Sequence, residues 1–199
     1  MKEYLKGVII SAFIMVALLS MTTGVSAMSI QARGGSVFES RMGDGTNMGV
    51  AIFFYEGRTF DLFAGYDSIS ASVQVDPDNP LTKVKSKTNA AFLGFQYKFQ
   101  NIGSFTPHVS LAVTSTKTTV TFEPGASTLF EPLPSGRSIG WRTGLGVDYG
   151  IGESWSLGLE VIVYNAIYFY STEKNTASQL TADNEGWVSA ADLELRYHF

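Results

Sequence analysis

The sequence contains no cysteine, so neither a disulfide framework nor thiolate chemistry is open to it. Its two histidines, His108 and His198, are too few for a multi-histidine metal site. Charge is sparse: Asp, Glu, Lys and Arg make up 16% of residues, the formal net charge is −4, and no basic run occurs. That balance lacks the electropositive footprint on which nucleic-acid binding depends. Past residue 19 there is no apolar run long enough for a membrane-spanning helix. Neither a metal, a cofactor nor a nucleic-acid partner is expected.

The long apolar run that is present lies at the start. Lys2 and Lys6 precede or flank it, Val8 to Leu19 form its core, and Val25-Ser26-Ala27 supply the small residues of a cleavage site. Together these read as a secretory signal peptide over 1–27, leaving 28–199 as one exported domain. If that domain enters a membrane it must do so as strands, because an exposed backbone in lipid has to be hydrogen-bonded within the protein.

What fills 28–199 is alternation. In the final stretch, Trp187, Ala191, Leu193, Leu195, Tyr197 and Phe199 are apolar, while Asp192, Glu194, Arg196 and His198 interleave with them. A period of two marks a strand with two unlike faces. The same pattern recurs over 30–42, 47–55, 58–75, 84–99, 105–122, 136–149 and 154–170, which makes eight segments with 187–199. In the sixth, Ile139, Trp141, Leu145, Val147 and Tyr149 oppose Gly140, Arg142, Gly144, Gly146 and Asp148. Connections near Glu56, Gln100 and Gly150 are short, and those near Pro77, Pro132 and Asn175 are longer, the first at Gly43 being tight. A soluble sandwich would have to bury the charged faces, and each unpaired buried charge costs several kcal/mol, roughly. The expected fold is therefore all-β: an eight-stranded, antiparallel, up-and-down transmembrane β-barrel with grease outside and charge inside.

The terminal Tyr197 and Phe199 resemble the C-terminal strand of bacterial outer-membrane barrels. That resemblance implies an assembly signal read by the barrel-assembly machinery, and residence in the bacterial outer membrane among its lipid and lipopolysaccharide. It also implies both termini on the periplasmic side, which places the short turns there and the longer loops outside. Trp141, Tyr149, Trp155, Tyr197 and Phe199 then fit girdles at the membrane interfaces.

Parity assigns the lumen. Arg33, Glu39, Arg41, Asp61, Asp67, Lys98, Arg142, Asp148, Glu160, Asp192, Glu194 and Arg196 are expected to form an ion-pair network that plugs the periplasmic half. Towards the outer mouth the same parity offers Ile69, Val73, Phe122, Ile162, Tyr164 and Tyr168 as an apolar pocket. Such a pocket is similar to the hydrophobic channel of the OmpW family, which implies binding or passage of a small hydrophobic ligand. A surface or structural role through the loops, as in OmpA- and OmpX-like barrels, is the other expectation. His108-Val109-Ser110 resembles the His-x-Ser of outer-membrane lipid A deacylases, which would imply serine as nucleophile and histidine as base. Its inward parity and periplasmic position argue against that, so no catalysis is expected.

Overall fold

Alternation of side chains along a strand becomes a division between inside and outside once the sheet closes on itself. In the computed structural model eight antiparallel strands do this, in sequence order: β1 (Ser29–Ser40), β2 (Gly45–Glu56), β3 (Phe60–Gln74), β4 (Lys83–Lys98), β5 (Phe105–Phe122), β6 (Gly136–Ile151), β7 (Trp155–Ile167) and β8 (Glu185–His198). β1 pairs with β8 from Ser29↔His198 onward, so no edge is left open. The structure describes residues 28–40, 44–74, 83–122, 136–167 and 185–199. The expected signal peptide, 1–27, and Arg41 lie outside them.

Burial follows the period of two. Along β6, Ser138, Arg142 and Asp148 are buried, whereas Ile139, Trp141, Leu145 and Tyr149 are exposed. Val50, Ile52, Val113, Leu159, Val161, Leu193 and Leu195 join them on the exterior. So continuous an apolar exterior far exceeds the few hundred Å², roughly, that a water-soluble monomer exposes. It is the surface of a barrel meant for lipid.

One end of the barrel carries the described N-terminal residue, the C-terminus and the short turns. There Ile102 N–H bonds to Phe105 O at 2.9 Å, and Gly103 and Gly152 adopt the positive φ that such tight turns require. Aromatic rings gather on the outer face at this end: Tyr97 on Phe99, Phe105 on Tyr149, Trp155 on Tyr197, and Tyr197 on Phe199, with centroids 4.8–5.2 Å apart. Further up, Trp141 and Trp187 flank Asn165 on one rung. Trp141 and Tyr149 are eight residues apart on one strand, about 27 Å along it. At a tilt of roughly 40° this is about 20 Å along the axis, close to the thickness of the apolar band of such barrels.

Two irregularities reset the alternation. The β2–β3 register shifts between Phe53 and Tyr55, so Tyr55 pairs with Leu62 and Glu56 with Asp61. Glu56 thereby enters the lumen, although the sequence reading placed it in a short turn, and Tyr55 stacks on Phe60. The second shift falls in β1 between Val37 and Glu39, where Glu39 pairs with Ser189. That bulge breaks the simple alternation on which a lumen position for Glu39 rested; its side chain lies outside the described residues.

Candidate functional site

The lumen is where the chemistry-bearing residues meet. Strand pairing dictates the meeting: partners directly across a ladder point to the same face, so inward residues of all strands share one cylinder. An eight-stranded barrel is just wide enough for side chains to fill that cylinder.

At the short-turn end, Lys98 Nζ lies 2.7 Å from Asp61 Oδ1 and Arg196 Nη1 lies 3.6 Å from Asp61 Oδ2. Arg196 Nη2 donates to Gln96 Oε1 at 3.1 Å and lies 3.7 Å from Asp148 Oδ2. His198 Nδ1 reaches Glu56 Oε1 at 3.2 Å, and Ser29 Oγ donates to the same carboxylate at 2.9 Å.

Midway up, Arg142 is only 1% exposed and occupies the barrel centre. Its Nη2 donates to Glu160 Oε2 at 2.6 Å and its Nη1 to Ser110 Oγ at 3.0 Å. Ser110 Oγ in turn donates to Glu160 Oε1 at 2.5 Å. Asp67, behind Arg142, accepts from Arg33 Nε at 2.7 Å and from the Tyr164 hydroxyl. Asn47 Nδ2 donates to Asp192 Oδ2 at 2.6 Å. Charge-assisted bonds of this kind are the strong ones, and in a desolvated site they are strong together or not at all.

Beneath the arginines lies an aromatic tile that parity made available but that charge counting overlooked. Phe53, Phe63 and Phe92 are buried inside the barrel with Ala51 and Ala112. Arg196 stacks over Phe53 at 3.7 Å, Arg33 over Phe92 at 4.6 Å, and Arg142 over Phe92 at 5.2 Å. The flat guanidinium suits this, because it can face a ring while its edge binds carboxylates. Glycine makes the space: a Cβ at Gly65 would overlap the Phe92 ring, and one at Gly49 would overlap the Asp67 carboxylate.

Nearer the loop end the expected apolar pocket is not an opening at its described positions. Ile69, Ile162 and Tyr164 pack on one another with Val37, Ala90 and Ala190. Ile162 is 0% exposed, so no water-sized space borders it. The width of the barrel explains this: opposite walls are close enough for branched side chains to touch. The far side of the same region is not apolar either. Thr88 and Thr118 hydroxyls lie 2.9 Å apart, and Thr116 and Ser138 bond at 2.5 Å, all buried. The side chains of Val73 and Phe122, and all of Tyr168, lie outside the described residues.

His108 and Ser110 both face inward, but no bond joins them; Ser110 is committed to Glu160 and Arg142. His108 forms no hydrogen bond to a carboxylate among the described residues: its Nδ1 lies 3.4 Å from Asp148 Oδ2, without hydrogen-bond geometry.

No protein-family model matches the chain, and no curated protein matches it by sequence. Solved structures do. The Neisserial surface protein A is similar over 86% of this chain and 97% of its own, with a TM-score of 0.59 and 14% identity. The outer membrane protein OprG from Pseudomonas aeruginosa is similar over 88% of this chain and 96% of its own, with a TM-score of 0.55 and 15% identity. A major outer membrane protein from Thermus thermophilus is similar over 87% of this chain and all of its own, with a TM-score of 0.51 and 15% identity. At such identities what is shared is architecture: this chain has the closed eight-stranded antiparallel barrel fold of small bacterial outer-membrane proteins.

Proposed function

We propose that the chain is an outer-membrane barrel that acts as a closed, non-catalytic scaffold through its loop end, where β3, β5 and β7 finish. The observation that carries this reading is Arg142, held across the barrel centre between Glu160, Ser110 and Asp67. Ile162 and Tyr164, packed above it, support a lumen closed to passage from one end to the other. Commitment of the Ser110 hydroxyl to Glu160 and Arg142 supports the absence of a nucleophile. Reconstituted into planar lipid bilayers, the full barrel is expected to give no lasting conductance above the lipid leak. Stable open-channel steps would overturn the scaffold reading.

Lipopolysaccharide suits the outer surface at the loop end. Lys87 and Lys117 are exposed there and face outward; Lys87 pairs with Thr119, which makes Lys117 its diagonal neighbour. Two ammonium groups so placed match phosphate-bearing headgroups. The double variant Lys87→Ala/Lys117→Ala is expected to hold lipopolysaccharide more weakly in detergent, with the difference shrinking at high salt. Equal retention at every salt concentration would remove lipopolysaccharide as the partner of this patch.

A further inference from the structure

Two members of one lumen cluster are left unsatisfied by the network around it, while the third, Asp148, accepts from Gln96 Nε2 at 3.5 Å and lies 3.7 Å from Arg196 Nη2. His108 on β5, Asp148 on β6 and Glu194 on β8 each offer an atom within 4.8 Å of the others. His108 is 0% exposed, and neither ring nitrogen has a hydrogen-bond partner among the described residues. Glu194 is 2% exposed, and both of its carboxylate oxygens lack one too. Buried polar atoms are seldom left so, because a donor or acceptor taken out of water without a partner is destabilising.

The sheet register aims these groups at one point. Asp148 pairs with Gly158, and Gly158 pairs with Glu194, so the two carboxylates share a rung and a face with only a glycine between them. Their strands stand about 10 Å apart, two strand spacings, and the side chains lean towards each other over the gap. His108 pairs with Gly146 on the adjoining rung. A Cβ at Gly146 would come within 2.5 Å of His108 Nε2, and one at Gly158 within 2.5 Å of Asp148 Oδ1 and 3.0 Å of Glu194 Oε2. Both glycines thus keep open the space into which the three groups point.

Charge points the same way. The described lumen holds the carboxylates of Glu56, Asp61, Asp67, Asp148, Glu160, Asp192 and Glu194, against the fixed cations Arg33, Lys98, Arg142 and Arg196. Seven minus four leaves a formal excess of three negative charges. Lys98 is held by Asp61 and Arg196 is shared among Asp61, Asp148 and Glu56, while Glu194 has no hydrogen-bond donor among the described residues.

We propose that His108, Asp148 and Glu194 bind a divalent transition-metal cation of the zinc class inside the barrel, tying β5, β6 and β8 together. One imidazole nitrogen and two carboxylate oxygens form a ligand set that suits Zn²⁺ and leaves a fourth position for water. A tetrahedral ion with bonds of about 2.1 Å sets its ligands about 3.4 Å apart, so side-chain rotations of about an ångström complete the site. Asp148, 8% exposed, is the most accessible of the three ligands. The proposal does not depend on what the loops do.

The test uses the full barrel folded in detergent, stripped with chelator and titrated with Co²⁺, whose visible absorbance reports its coordination. The expected result is one Co²⁺ per chain, displaced by Zn²⁺, with binding lost in His108→Ala and in Glu194→Gln but kept in His198→Ala. Resistance of each folded band to unheated SDS shows whether the variant still forms the barrel. For a variant that does not, the wild-type protein decides: Zn²⁺ should move the ring NMR signals of one histidine, His108, and leave those of His198. Failure of the wild type to bind, binding that survives both substitutions in folded variants, or a shift at His198 in place of His108 would each overturn the site.

Discussion

Leu145→Arg is expected to cost the inserted barrel about 2–4 kcal/mol, the penalty for a cation on the lipid face near mid-membrane. Leu145 is 65% exposed, lies between Trp141 and Tyr149 on its strand, and pairs with Val109 and Val161. In a water-soluble protein, an exposed leucine is replaced by arginine at a cost within about 0.5 kcal/mol of zero. The two environments therefore predict outcomes several-fold apart. Urea unfolding in lipid vesicles, followed by tryptophan fluorescence, reads the difference, and Gly150→Arg beyond Tyr149 serves as the interfacial control. An unchanged midpoint for Leu145→Arg would mean that this surface does not face lipid.

Arg142→Ala acts from the other side of the same wall. It strips Glu160 of its 2.6 Å partner and leaves Asp67 and Ser110 facing the gap. Uncovering a buried charge in this way is expected to cost about 3–5 kcal/mol. The double variant Arg142→Met/Glu160→Leu removes both charges and keeps most of the volume, so it should recover a large part of the loss. The same urea assay separates the outcomes. A single variant as stable as the wild type would show that the central ion pairs contribute little; a double variant no better than the single would show that Asp67, not Glu160, is the partner that matters.

Much of the fold was legible because it is written locally. Alternation at Leu193-Glu194-Leu195-Arg196 or Trp141-Arg142 needs no knowledge of distant residues, since successive Cβ atoms on a strand point to opposite faces. The fifth strand was expected over 105–122 and spans Phe105–Phe122; the others end within a few residues of their expected limits. The tight turns at Gly103 and Gly152 fall in the short connections expected near Gln100 and Gly150. The lumen positions of Arg33, Asp61, Asp67, Asp148, Glu160 and Asp192 followed from the same parity.

Other features were not legible, and the reasons differ. Glu56 reached the lumen through a bulge, which arises from how β2 fits β3 rather than from β2 alone. Phe53, Phe63 and Phe92 shared inward parity with the charges, yet an aromatic floor under three arginines is recognisable only when their strands are placed side by side. The upper lumen looked like a pocket because a list of apolar residues carries no radius.

The sequence by itself determined that this chain forms strands, that they number eight, and which side of each is greasy and which is charged. These properties repeat every two residues and are settled within a single strand. Only the tertiary structure decided which charges meet: Arg33 with Asp67, Arg142 with Glu160, His108 beside Asp148 and Glu194. Those partners are set by the stagger between strands and by the circumference of the closed ring, and both exist only when all eight strands are paired.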